Sequence, residues 1–381
     1  MVEDLLREKL SSHFEKCGVG IPSPLGQNFA PDKDQYRAAH LHQRFEKLEK
    51  NKDFLRKKID KLSIYFANGS EVFPENINVD IELVEGGKLS SDIFRLVTLN
   101  WSIPVSEGYG RRLRFLVWDR SNNKVIGIFA LGDAVFNIKS RDEYLGWSAS
   151  DRKDKLVNIM DAYVLGAIPP YSNLLCGKMI ASLIKSREVV EAFRGKYKDS
   201  VGLISKSKKD PHLTAVTVTS ALGRSSIYNR LKLDGEHIFT KIGMTIGWGH
   251  FHVSSEIFSL ISKYLKSIGD ASLATYEYGG GPNWKIRIIK RALWHLGLDD
   301  TLMKHGFKRE VYVCEIANNA HEFLRGEAPA PDYSNLKSIK EISALAKNRW
   351  IIPRSIRNED YKRFKKETLL EAIGGKEWTT L

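Results

Sequence analysis

Residues 161–186, DAYVLGAIPPYSNLLCGKMIASLIKS, constrain the fold of this chain more than any other stretch. A short apolar run meets Pro169 and Pro170, and a polar loop then leads into a second apolar run. Two prolines can extend neither a ladder nor a helix, so the first run stops there. Its length and lack of alternation predict a buried strand. The second run predicts a helix from 178 to about 185, opened by the loop 171–177. Such a connection presents free backbone N–H groups, which suit phosphate. Tyr171, Asn173, Gly177 and Lys178 are the candidate anion-binding residues: Gly177 allows close approach and Lys178 adds charge. The glycine spacing matches neither a Walker loop nor a dinucleotide fingerprint. A tight strand-to-helix turn in any α/β core explains the same pattern.

Around this connection, the runs 113–119 and 124–131 flank the turn Ser121-Asn122-Asn123 and predict a hairpin. LTAVTVTS at 213–220 is the clearest strand, with 238–248 and 310–316 as further strands. Helices are expected at 2–16, 34–66, 149–160, 225–231, 254–269 and 284–296. The expected class is α/β (α+β) with a mixed sheet. A helical N-terminal arm and linker would take 1–95, the core 96–250, and C-terminal helices with a strand 251–326. A basic flexible tail would take 327–381, on the strength of Pro329, Pro331, Pro353 and the cluster from Arg349 to Lys366.

The run 161–186, followed by LTAVTVTS, SSIYNRLK and HIFTKIG, resembles the acetyltransferase (GNAT) fold. That resemblance implies loop amides holding the pyrophosphate of acyl-coenzyme A. The loop departs from the QxxGxG/A pattern of that fold, with Asn173 and Gly177 as partial matches.

Charge narrows the partners. Fifty-nine basic residues against 46 acidic ones leave +13, which suits a polyanion such as nucleic acid. Arg111, Arg112 and Arg114 lie beside glycines and Tyr109, a composition that suits phosphate and base contacts. Lys285, Arg287, Lys290 and Arg291 follow a triple-glycine loop on a predicted helix, where each cation can neutralise one phosphate. Asp119, Asp133, Asp142 and Asp161 are the carboxylates from which a two-metal nuclease would draw its divalent ions' ligands; turn aspartates are the plainer reading. His250 and His252, two apart on an expected strand, would share a face and are candidate metal ligands. No nucleophile elbow or HExxH is present. Cys17, Cys176 and Cys314 are too few and too scattered for a disulfide framework, and fit a reducing compartment. No apolar run reaches membrane-spanning length, and the acidic start lacks a signal-peptide core. The expected location is the cytoplasm.

Five long strings occur in order: WSIPVSEGYGRRLRFLVWD, IGIFALGDAVFNIKSRDEYLGWSASDR, MDAYVLGAIPPYSNLLCGKMIASLIKSREVVEAF, TSALGRSSIYNRL and KHGFKREVYVCEIANNAHEFL. Across about 36–326 they resemble the DruA family of type I Druantia anti-phage defence systems. Ala134 and Cys176 stand where that family usually has proline and glycine. The resemblance implies one component of a bacterial multi-gene antiviral system that includes the helicase DruE. It assigns no catalytic residue. Nucleic-acid binding alongside the helicase, a GNAT-like transferase acting on nucleic acid or protein, and a metal-dependent DNA nuclease are the three expectations.

Overall fold

A computed structural model describes residues 2–16, 32–106, 110–201, 211–250, 253–270 and 284–374. The chain divides into two compact units. The larger takes residues 47–220, 225–243 and 310–381; the smaller takes 1–46, 221–224 and 244–309. The predicted boundaries at 95, 250 and 326 are thereby corrected: the sheet begins before 96, regains a strand after 250, and the 244–309 segment goes with the N-terminal helices.

Nine strands are formed by the described residues: β1 Val79–Leu83, β2 Arg112–Asp119, β3 Lys124–Asp133, β4 Ile159–Ala167, β5 Ala215–Thr219, β6 Lys232–Leu233, β7 Glu236–His237, β8 Thr240–Met244 and β9 Glu310–Glu315. Seven make one sheet in the order β1-β2-β3-β4-β5-β9-β8; β6 and β7 pair separately. β1, β2, β3 and β4 run antiparallel in succession, as do β5 and β9. Between them β4 and β5 are parallel, paired over 159–162 against 215–218. β4 then continues to Ala167 without a β5 partner. The result is the expected mixed α/β class.

Both sheet faces are covered, which is why the central strands read as continuous apolar runs. Leu113, Phe115, Val117 and Phe129 face the helices Cys176–Leu183 and Arg187–Tyr197 in one buried cluster. Phe115 and Phe129 are register partners whose rings stack 4.6 Å apart. Leu116, Trp118, Ile128, Ala130 and Val164 face the other way, against the helices Lys52–Leu62 and Leu89–Thr98.

One carboxylate ties three parts of this unit together. Asp119, fully buried at the end of β2, accepts hydrogen bonds from Asn78 N–H (3.0 Å) and from the Ser121 N–H and hydroxyl (3.0 and 2.7 Å). It also accepts one from the Tyr171 hydroxyl at 3.0 Å. The β1 entry, the β2–β3 turn and the loop after β4 therefore share one acceptor.

Three further expectations need correction. The 34–66 helix is three helices, Lys33–Ala39, Leu41–Lys50 and Lys52–Leu62. Asn51 interrupts it because its amide donates to the Lys47 carbonyl (2.6 Å) while its oxygen takes Arg95 Nε (2.7 Å). The stretch expected as a linker ahead of the core holds β1 and the Leu89–Thr98 helix. The flexible tail is folded through residue 374: Leu336, Ile339, Ile342, Trp350 and Ile351 enter one buried cluster, and Leu369 and Ile373 the other. Pro353 lies just after a π turn, Lys347–Ile351, in helical backbone that runs unbroken from Ile339 to Arg357. At Gly69 the returning chain comes so close that a Cβ would lie 1.9 Å from the Tyr361 carbonyl.

The smaller unit packs Val2–Lys16, Ser255–Ser267 and Trp284–His295 around Leu6, Leu10, Ile261, Leu265, Ile289 and Leu293. Ser254 caps the second helix, its hydroxyl accepting from Ile257 N–H at 3.2 Å.

Because Ile351 is wholly buried, Ile351→Ala is expected to cost about 3 kcal/mol. Urea unfolding followed by circular dichroism measures it; an unchanged midpoint would mean that this segment does not close the core.

Candidate functional site

The loop after β4 is built into the core. Tyr171 is fully buried, its hydroxyl shared between Asp119 and Asn122. The N–H groups of Ser172, Asn173, Leu175 and Lys178 donate to carbonyls within the connection itself. The Asn173 carbonyl accepts from Arg354 Nε at 3.2 Å, and Lys178 Nζ lies 5.8 Å from the centre of the Trp350 ring. A Cβ at Gly177 would meet Ile227 at 3.7 Å. These four amides, those of the candidates Asn173 and Lys178 among them, are therefore spent within the connection.

The candidate carboxylates are separate as well. Asp119 serves the hub described above. Asp133 accepts from Arg111 N–H (2.9 Å) and Arg111 Nε (2.6 Å). Asp142 is held by the fully buried Arg141 (2.7 Å) and by Arg152 (2.6 Å) beside a pocket of about 360 Å³. Asp161 accepts from the Thr217 hydroxyl and from Val135 N–H at 2.7 Å. Among the described residues no three histidine, cysteine or acidic side chains converge on a metal position. His250 is half-buried, its pKa pushed down by burial and by nearby Lys285. His252 lies outside the described residues, as do Glu107, Gly108 and Tyr109.

Asp161 keeps some exposed surface, yet protein surrounds its carboxyl. Burial pushes its pKa up to about 6, against the pull of Thr217, the Val135 N–H and Arg141.

The cations divide into two groups. On the Trp284–His295 helix, Lys290 pairs with Asp300 and Arg291 with Asp270, each at 2.7 Å. Lys285 lies over the Phe258 ring, and Arg287 is exposed. At the start of β2, Arg111 is likewise committed, to Asp133 and to the Val157 carbonyl. Arg112 and Arg114, like Lys285 and Arg287, are in no ion pair among the described residues. Alternation puts the two β2 arginines on the sheet face of Leu116 and Trp118.

Lys196, near the end of the Arg187–Tyr197 helix on the opposite sheet face, reaches the same end of β2. Its amine donates to the Arg112 carbonyl at 2.8 Å, and the Tyr197 hydroxyl bridges the Arg112 N–H and C=O. Burial lowers the Lys196 pKa and the Arg114 charge lowers it further, as expected for cations gathered without counter-charge.

Aromatic rings sit beside this cluster. Arg112 is opposite Gly132 in the β2–β3 register, and a Cβ on Gly132 would lie 3.2 Å from the Tyr163 ring. Burial raises the Tyr163 pKa, while Arg112 and Arg114 pull it down. Gly166, opposite Ile128, leaves room for Trp101, whose ring a Cβ there would meet at 2.7 Å. The Arg114 guanidinium lies 5.7 Å from the centre of the Phe94 ring.

Lys196, Tyr163 and Trp101 were not singled out in the sequence. The signal available was the glycine inside each of two strand runs, which marks a close approach.

Residues 30–326 match the family described as Druantia protein DruA. The Druantia protein DruA of Escherichia coli (strain UMEA 4076-1) is 47% identical over 373 residues, covering 97% of this chain and 92% of that protein. No solved structure matches the chain. Among the described residues, no helix is long and apolar enough to cross a membrane.

Asp161 yields a pH prediction. Its folded pKa near 6 stands above the ordinary 3.8, so the fold favours the protonated form. That contribution to stability is fully present below about pH 3.8 and is lost as pH rises through about 6. Asp161→Asn removes the charge and keeps an acceptor. Its urea midpoint should exceed wild type at pH about 8, with the difference shrinking toward about 4. A variant less stable than wild type at the higher pH would contradict the assignment.

Proposed function

The chain belongs to the DruA family of Druantia anti-phage defence systems, and from that premise we propose that it binds nucleic acid alongside the system's helicase, DruE. The observation that carries the reading is the gathering of Arg112, Arg114 and Lys196, without carboxylate partners among the described residues, next to Tyr163. Each such cation that neutralises a phosphate releases a counterion condensed on the nucleic acid, which favours binding and makes it fall with salt. The net charge of +13 adds long-range attraction. Of the seven cations singled out by composition, Arg112 and Arg114 carry the proposal. Arg287 is a second contact on the smaller unit.

A GNAT-like transferase is the second reading. What favours it is a central strand, β4, beside its one parallel neighbour and leading through a tight loop into a helix. The spent amides weigh against it. Calorimetric titration with acetyl-coenzyme A decides: saturable heat supports the transferase, and none rejects it. The nuclease reading has no converging carboxylates to rest on among the described residues.

For the first reading, filter binding of wild type and of the double variant Arg112→Gln, Arg114→Gln is measured across a salt series. Affinity should fall steeply with salt, and the variant's log–log slope should be shallower by about two, one per lost phosphate contact. Binding that ignores salt, or an unchanged slope, rejects this patch.

A further inference from the structure

We infer that this end of the sheet takes single-stranded nucleic acid, bases against Tyr163 and Trp101 and phosphates on Arg112, Arg114 and Lys196. The inference rests on the nucleic-acid reading above and specifies the substrate class. Its basis is the row structure of the sheet. Arg112 lies opposite Gly132, over which Tyr163 packs; Arg114 lies opposite Ala130; Leu116 lies opposite Ile128, whose other neighbour, Gly166, lies under Trp101. Two of the three rows therefore carry an aromatic ring at a glycine.

A ring laid on a glycine touches backbone on one side. Tyr163 and Trp101 pack against the buried cluster of Leu116 and Ile128 but are themselves only partly buried. Phosphate contacts alone serve duplex and single strand alike. An aromatic face gains only from a base that is free to leave its own stack. In a duplex the base faces are covered by their neighbours, so these rings would add nothing. Charge complementarity calls for a polyanion, and the rings call for one with unstacked planar groups.

Arg112 and Arg114 also lie within electrostatic reach of the Tyr163 hydroxyl, so ring and cations belong to one site. Lys196 marks its rim, being exposed and bound to the Arg112 carbonyl.

The experiment is fluorescence anisotropy on the full chain with labelled strands of one sequence, as single-stranded DNA, single-stranded RNA and duplex DNA. The single strands should bind at least about tenfold more tightly than the duplex, the margin that one base stack supplies. Tyr163→Leu should narrow the margin between single strand and duplex; Arg114→Gln should weaken all three. Because Tyr163→Leu bears on the core, wild-type protein is also photo-crosslinked to an iodouracil-substituted single strand, and adducts are expected on Tyr163 or Trp101. Equal affinity for duplex and single strands, or adducts only elsewhere, overturns the single-strand inference while the nucleic-acid reading stands. Absence of salt-sensitive binding to every probe overturns both. A difference between the DNA and RNA arms identifies which polymer the site prefers.

Discussion

The larger unit depends on a buried carboxylate that, among the described residues, has no cation at its side. Asp119 is satisfied by one N–H from the β1 entry, the N–H and hydroxyl of the β2–β3 turn, and the hydroxyl of Tyr171. An acid taken out of water costs several kcal/mol unless hydrogen bonds replace its hydration (about 2–7 kcal/mol even for a neutral polar group left unpaired). Here four donors from three segments meet that demand. Moving any segment would strand the oxygen atoms, so the loop after β4 is held in a fixed place. This accounts for the fate of the presumed anion loop: the same residues that would greet a phosphate are recruited to hold the sheet together.

Register then decides where charge gathers. Arg112 and Arg114 start β2 on the face that lower down receives Leu116 and Trp118. Helices cover the apolar half, and the arginines occupy the other end. Glycines at 132 and 166 leave space that Tyr163 and Trp101 fill. The neighbouring Arg111 illustrates the contrast. One position earlier, it meets Asp133 and becomes structural. A run of three arginines within four residues thus divides by the alternation of a single strand into one ion pair and two charges without a carboxylate partner among the described residues.

Much of this was legible from residue order. Strands β2, β3, β4 and β9 lie within two residues of their predicted limits at either end, since apolar runs bounded by turns or prolines leave little choice. The C-terminal segment misled because prolines and lysines look like a linker, whereas Leu336, Ile339, Ile342, Ala346 and Trp350 keep a helical spacing that buries one face. β1 was missed because its alternating acids, Asp80 and Glu82, mark a half-exposed edge. At the site, Arg112 and Arg114 were visible as composition. Tyr163, Trp101 and Lys196 were not, because strand register and helix packing bring them there from other parts of the chain. The four aspartates resembled a ligand set only while their partners were unknown; each had a local donor or cation to satisfy.

The sheet's composition in chain order has a consequence for how this protein comes into being. β9 joins β5 only after the chain has made the helices of the smaller unit, and both core clusters close with residues beyond 335. Folding from the N-terminus during synthesis can therefore complete neither cluster early. On the ribosome, a growing chain would carry an unfinished sheet with an open edge at β5 for most of its emergence. Such edges invite pairing with other strands. Cellular supply of this protein would then be sensitive to translation rate and to chaperones that shield nascent β-structure.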